Sequence, residues 1–543
     1  MRKSLAALPL AVVVVATVAS IGAVVVAQDG DPERGGRLEL VALNDPRTLD
    51  NSQAVDTIEY NTVAGALYEG LYHFTPDGEL APALAVGMPE ISEDGLVYTI
   101  RIKPGAMFAG PDFDPRAVTA ADVAYGMTRA LDPTPEGAPA PSWGSGYLFP
   151  IKGAAAFNAG EVEAVEGIEV IDDETLQVTL EAPTTTFLLG LTIATSWPVP
   201  PEAVAERGAD FGNRPVGAGP FYLQEWNKGS DLTLARNEGY VDPDLPYLDE
   251  IYVDLAVDEN TQVLRLESGQ ADGIYEPFTI GPAGLRTLAQ APDVTVEDAV
   301  GPRIYYMALE NGGVFGDKDL RLAVAHAITR DFTAQFGDLA KPWNQLMGSA
   351  TLQSDPEGTS IYPHDPEAAR AYLESGGYDG TPVKIIYDVT DPYGSANATA
   401  LRQDLEAVGF AVELTGLQPG EFFGGAVYEA DARDLSSTYW SADYPDIQDY
   451  ISTNFVCGQY LNISHFCDED IDAAFSATEQ MAFGPERDTA LLEVQQRLID
   501  EAAGIPVMEV TPQVVYGSRV GAMPTLATYA PYDWKRAWVK ADG

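Results

Sequence analysis

Positive charge, histidine and cysteine are all scarce in this chain. Its 31 lysines and arginines, nine of them lysine, face 82 acidic residues, a net charge of -51. That balance disfavours a nucleic-acid partner, whose backbone needs cationic neutralisation. A dense carboxylate surface with few lysines suits a protein bathed in concentrated salt, which screens its self-repulsion. Four histidines, His73, His326, His364 and His465, leave little for metal ligation or histidine catalysis. The phosphate loop GxxxxGK[ST], the nucleophile elbow GxSxG and the zinc helix HExxH are all missing. With 82 acids no particular carboxylate pair carries weight, so glycoside hydrolysis does not follow from composition. DEDID at 468–472 lacks the DxDxDG spacing of a calcium loop. No enzyme, cofactor or metal is expected.

Long apolar runs are also missing, with one exception. Arg2 and Lys3 precede a mostly apolar stretch over 5–27, followed by Gln28 and Asp29. This is the pattern of an export signal cut after Ala27. A retained membrane anchor is the alternative, since the run is long enough for one helix. No cysteine follows it for lipid attachment. The remaining 516 residues are too many for one core, so at least two lobes are expected. The two cysteines, Cys457 and Cys467 in FVCGQYLNISHFC, lie close together. Outside the cytoplasm a disulfide is the natural reading, worth about 3 kcal/mol by loop entropy. A metal site using His465 would lack a fourth ligand.

What is present is alternation. RLELVAL from Arg37 and GLVYTIRIKPG from Gly95 read as strands, and 57–71 and 318–337 as helices. Thr119 with Asp122 three residues on heads another helix. GIEVIDDETLQVTLEAP reads as a hairpin turning at 172–173. From Glu367 and again from Ala400 the order is helix, glycine break, strand, which implies a second α/β lobe. Two α/β lobes without a long linker place a ligand cleft between them. One stretch stands out, TYWSADYPDIQDY at 438–450, with three tyrosines, a tryptophan and three aspartates but no cation. It could be a wet acidic loop, a calcium loop or a pocket wall that receives a positive group.

Several segments together resemble the bacterial extracellular solute-binding proteins of family 5, the dipeptide, oligopeptide and nickel group of ABC importers. They are RTLD (47–50), ALYEGL (66–71), the run 95–131, NRPVGAGPFYLQEW with LARNEGY (213–240), LESGQADG (266–273), DLRLAVAHAI (319–328) and W-x-A-D-Y-P-D (440–446). Ala109 departs from the family pattern in one local turn. The resemblance implies an α/β, periplasmic-binding-protein-like two-lobed clamshell of the class II, cluster C type. In it 28–68, 200–293 and 513–543 form the first lobe, 69–199 an additional subdomain on it, and 294–512 the second lobe. It implies a monomeric receptor that captures a peptide or other small solute by closure and hands it to a membrane permease, with no covalent step.

Residue by residue, Asp443 matches the family's acceptor of a peptide α-amino group. Tyr439, Trp440 and Ser441 match the backbone that pairs with a peptide main chain, with Tyr444 beside them and Val55, in 53–57, on the facing edge. Ser437 stands where oligopeptide binders carry an arginine, leaving Arg303 or Arg433 as candidates for a peptide carboxylate. Asp446 and Asp449 read as surface or capping groups. Trp143, Trp343 and Trp440 keep an oligosaccharide receptor open as the alternative. Nickel and haem are less supported, because histidine is scarce. A secreted hydrolase or wall protein is the reading from a different class.

Overall fold

The computed structural model describes residues 31–540 except 56, 77, 300, 302, 331, 460, 527 and 529–531. The expected signal or anchor at 1–27 lies outside the described residues.

Alternating leucines make the strand Arg37–Val41 the middle of the first lobe, with Leu38 and Leu40 buried and Arg37 and Glu39 less so. It runs parallel to Glu250–Asp254 on one side and Gly273–Ile274 on the other. The link between those two is the helix Glu259–Glu267, whose cap Asp258 accepts from the Thr261 N–H. The complete sheet has seven strands in the order Val294–Asp298, Gln513–Gly517, Gly273–Ile274, Arg37–Val41, Glu250–Asp254, Asp231–Arg236, Phe221–Asn227.

The second lobe holds a six-stranded sheet in the order Ala340–Pro342, Gly504–Val510, Arg303–Leu309, Leu435–Trp440, Val383–Asp388, Val412–Leu417. Arg303–Leu309 and Gly504–Val510 are buried along their whole lengths, as strands covered on both faces must be. The helix–glycine–strand pattern supplies the parallel edge, where Pro392–Val408 ends at Gly409 (φ +118°) before Val412–Leu417. Chain crossings join the two sheets after Asp298 and after Val510. Val294–Asp298 therefore belongs to the first sheet, one strand beyond the boundary expected at 293/294. It does so because it pairs with Gln513–Gly517 through five residue pairs.

The subdomain is a four-stranded sheet, Glu90–Ile91, Val97–Arg101, Thr175–Thr179, Ile168–Asp172, covered by the helix Ala120–Leu131. Asp122 accepts from the Thr119 N–H and hydroxyl, both at 2.8 Å, so the expected helix start holds. Two helices differ from expectation. The one at 57–71 is α-helical over Thr57–Thr62, widens to a π turn over Val63–Leu67, and is extended at Tyr68. A side chain at Gly65 would lie 2.8 Å from Trp534, so this helix packs backbone-on-ring. The helix expected over 318–337 stops at Ala327. Ile328 turns extended (ψ 125°), and the Thr329 N–H goes to Asp404 Oδ2 at 2.7 Å, away from the helix axis.

Candidate functional site

The strand Leu435–Trp440 is bonded to Arg303–Leu309 from end to end, but to Val383–Asp388 only through Leu435 and Ser436. Beyond Ser436 no described strand pairs with its second edge. The chain then turns at 441–445, and Asp446 caps the helix Ile447–Asn454 by accepting from the Gln448 N–H. Arg487 grips that cap with two bonds, 2.7 and 3.0 Å, both side chains fully buried. A buried bidentate pair of this kind fixes geometry as well as charge. It holds the turn, and Asp443 within it, against the lobe.

Asp449 sits one helical turn past the cap and points back toward the turn. Its Oδ2 accepts from the Trp440 indole N–H at 3.1 Å and from the Asp443 N–H at 3.0 Å. Asp449 is therefore a buried part of this cluster, rather than the surface or capping group expected from sequence. From the subdomain comes Tyr147, on the 3-10 turn Trp143–Leu148. Gly144 in that turn has no room for a side chain because Thr195 packs against it. The Tyr147 hydroxyl lies 2.7 Å from Asp443 Oδ2 and 2.8 Å from Asp449 Oδ1, joining subdomain to second lobe. Burial, with the charge of Asp449 beside it, pushes the Asp443 carboxyl well above its usual range. Burial raises Asp449 to about 7, against the bonds from Trp440, Asp443 and Tyr147, which favour its charged form. Among the described residues no lysine, arginine or histidine bonds to either acid. Asp443 also faces a cavity of about 60 Å³ walled by Tyr60, Phe74, Thr192, Trp197 and Lys535. That volume is several times what one water needs. A peptide is larger, so admitting one requires the contacts around Tyr147 to part.

Chain and fold then meet a known pattern. The family model for bacterial extracellular solute-binding proteins, family 5 Middle, matches residues 79–462. The chain belongs to that family. It is 27% identical over 475 residues to Di/tripeptide-binding protein 2 of Pseudomonas aeruginosa, covering 84% of this chain and 86% of the relative. It is 25% identical over 473 residues to the glutathione-binding protein GsiB of Salmonella paratyphi A, covering 85% and 86%. Its fold superposes on the periplasmic binding protein DppA of Helicobacter pylori, solved with the peptide STSA, at TM-score 0.82. That match has 20% identity and covers 93% and 98% of the two chains. The family 5 protein is thus a two-lobed clamshell and a non-catalytic, extracytoplasmic solute receptor.

Within this family 5 receptor the expected residues fall in different places. Asp443 and Trp440 meet at the acid cluster, and Ser441 is buried in the turn between them. Tyr444 is buried in a small apolar group with Phe74 and Ile193, its ring edge-on to Tyr147 at 5.9 Å, across the lobe junction. Tyr439 points elsewhere, its ring 3.8 Å from the Arg303 guanidinium, whose opposite face meets Phe278 at 3.9 Å. Phe278 has φ +69°, a conformation strained for a bulky residue, and it brings this ring across from the first lobe. Arg303 also reaches Thr57 Oγ1 at 3.5 Å and faces Asp391, which accepts from the Tyr305 hydroxyl. Arg433 is framework, bonded to the Val427 carbonyl and near Glu310. Val55 is exposed and gives its N–H to Glu59; of the edge expected over 53–57, Gln53 ends a turn, Thr57 opens a helix, and no described residue is in a strand, residue 56 lying outside the described residues. Trp343 is in the second-lobe core with its N–H on the Met347 carbonyl. Cys457 and Cys467 form the expected disulfide, while His465 turns to Glu310 at 2.7 Å. Among the described residues no cluster fits a metal ion.

Sequence reading missed Tyr147, which lies 296 residues before Asp443 with nothing local to mark it. Asp449 had a usable signal. As the third residue past a helix cap, it occupies the position whose side chain reaches back over the N-terminus.

Proposed function

We propose that this receptor captures peptides for an ABC importer, holding the α-amino group at Asp443 and delivering the solute to a membrane permease. One observation carries the reading: Asp443 is a buried carboxyl at the lobe junction, facing a cavity, with no described cation bonded to it. An ammonium enclosed there loses its water, and a positioned carboxylate replaces it. The strand edge beyond Ser436 offers backbone groups to an extended peptide, so recognition is through the main chain and tolerates varied side chains. Arg303, between its two rings, is the candidate partner for a carboxylate at the far end. The similarity to di/tripeptide-binding and glutathione-binding proteins supports the same solute class.

The sugar reading draws less support. Trp343 is core, and the indole N–H groups of Trp143 and Trp440 are spent on the Ala54 carbonyl and Asp449. Residues 1–27 act as the export signal, cleaved after Ala27, and N-terminal sequencing of the exported protein checks this against a retained anchor. Among the described residues no helix is long and apolar enough to cross a membrane. To test the solute class, the protein is purified from its host, denatured, and the released small molecules are identified by mass spectrometry. Peptides with free amino termini are expected; glucans or amine-free solutes overturn the assignment.

A further inference from the structure

The Tyr147 hydroxyl has one proton, yet it sits within hydrogen-bonding distance of two acid oxygens, on Asp443 and Asp449. A phenol donates to one acceptor only. At these separations the second contact is repulsive between lone pairs unless that carboxyl brings its own proton. Asp449 already accepts from Trp440 and from the Asp443 N–H, which favours charge on Asp449. The proton therefore rests on Asp443, which donates to the Tyr147 oxygen while Tyr147 donates to Asp449.

Among the described residues the surroundings supply no alternative countercharge. On the same segment lie Tyr444 and Asp446. From the helix Pro485–Asp500 comes Arg487, whose terminal nitrogens are taken by Asp446 and Gln448. Along the cavity wall stand Glu69, His73, Asp533 and Lys535. The three protons of Lys535 point to Glu69, His73 and Tyr240.

We propose that Asp443 and Asp449 hold one proton between them, with Tyr147 as the bridge, when the lobes close without an amine, and that a solute ammonium enters by displacing it. The Asp443 O–H bond breaks, its proton leaves to solvent, and the ammonium N–H groups bond to the freed carboxylate. The net charge of the buried cluster is then the same before and after capture. Asp449 becomes a second acid of the amine site, one that sets the protonation of the first. The shared proton stands on the geometry alone; its displacement rests on the peptide reading above.

Infrared spectroscopy of the solute-free mature receptor tests the first half. A protonated-carboxyl band should persist at pH 6, vanish in Asp443→Asn, and titrate at least one pH unit lower in Asp449→Asn. A wild-type spectrum with no carboxyl titrating above pH 6, or a band untouched by both variants, overturns the relay. Calorimetry with trialanine at pH 6, in two buffers of different ionisation heat, tests the second half. Close to one proton released per peptide is expected for wild type and distinctly fewer for Asp449→Asn. Binding without proton exchange overturns displacement. Failure of trialanine to bind while the band is present overturns the peptide reading and leaves the relay standing.

Discussion

Asp443 and Asp446 are three residues apart, both buried, and electrostatically opposite. Asp446 has Arg487 across two bonds, Gln353 beside it and a helix N-terminus to cap. Asp443 has a phenol, a second carboxyl and a cavity. Within one turn, one acid is satisfied by the fold and the other only by a proton or a guest. Both are buried, so the partner set is what separates framework from binding site.

The largest effect should come from breaking the satisfied acid. Arg487→Ala leaves the Asp446 carboxylate buried without a partner, which typically costs about 3–5 kcal/mol. Urea denaturation should show that loss, and changing Asp446 to Asn in the same chain should recover part of it. A loss below about 1 kcal/mol would mean the pair is replaceable by water and the contrast with Asp443 is weaker than its geometry.

Next comes the response to pH, where the two kinds of acid should move stability in opposite directions. Asp449 and Asp443 have carboxyls raised in the folded state, so folding favours their protonated forms. The Asp449 contribution is present at low pH and is lost as pH rises toward about 7; that of Asp443 is lost in the same direction. Glu69 is the reverse. It is strongly desolvated, but Lys535, then His73 and Tyr240, outweigh burial and hold its carboxyl well below the usual range. Its contribution is present above the ordinary glutamate value and is lost as acid protonates it. Asp449→Asn should therefore be more stable than wild type at pH 8, by roughly 1–3 kcal/mol, and equal to it near pH 4. Thermal melts across that range check the sign. A constant difference would show that Asp449 does not titrate in the folded protein.

The disulfide comes third. It closes the loop after the Ile447–Asn454 helix, and the Cys457 N–H also bonds to Asp472 at the start of the next helix. Replacing both cysteines by serine should cost about 3 kcal/mol by loop entropy, with solute affinity nearly unchanged. A tenfold fall in affinity would instead connect this loop to the amine site.

These contrasts also mark what the sequence could disclose. The strand Arg37–Val41, the Thr119 helix start, the disulfide and the acidic turn were legible because each is set by residues adjacent or nearly so. Helix ends were less so. The stop at Ala327 depends on Asp404 taking the Thr329 N–H from 75 residues away. The candidate site divided in the same way. Asp443 came from a local motif, but its partner Tyr147 arrives from another subdomain, and Arg303 is flanked by a ring from each lobe. Spacing along a chain records helix faces and strand faces. It carries no record of which distant hydroxyl will meet which carboxyl.

The smallest free-energy change belongs to the acid with the largest functional weight. Asp443→Asn keeps the shape of the protonated acid and an N–H donor for the Tyr147 oxygen, but it can never become the carboxylate that an ammonium needs. The melting temperature of the solute-free variant should therefore stay within a degree or two of wild type. Peptide affinity should fall by more than tenfold, about 1.4 kcal/mol, since an amide cannot neutralise an enclosed ammonium. Arg487→Ala is the mirror case, losing stability first and binding only as the fold weakens. If calorimetry found Asp443→Asn binding peptide as tightly as wild type, the amine would lie elsewhere in the cleft. The two aspartates of the turn would then differ in partners alone, not in purpose.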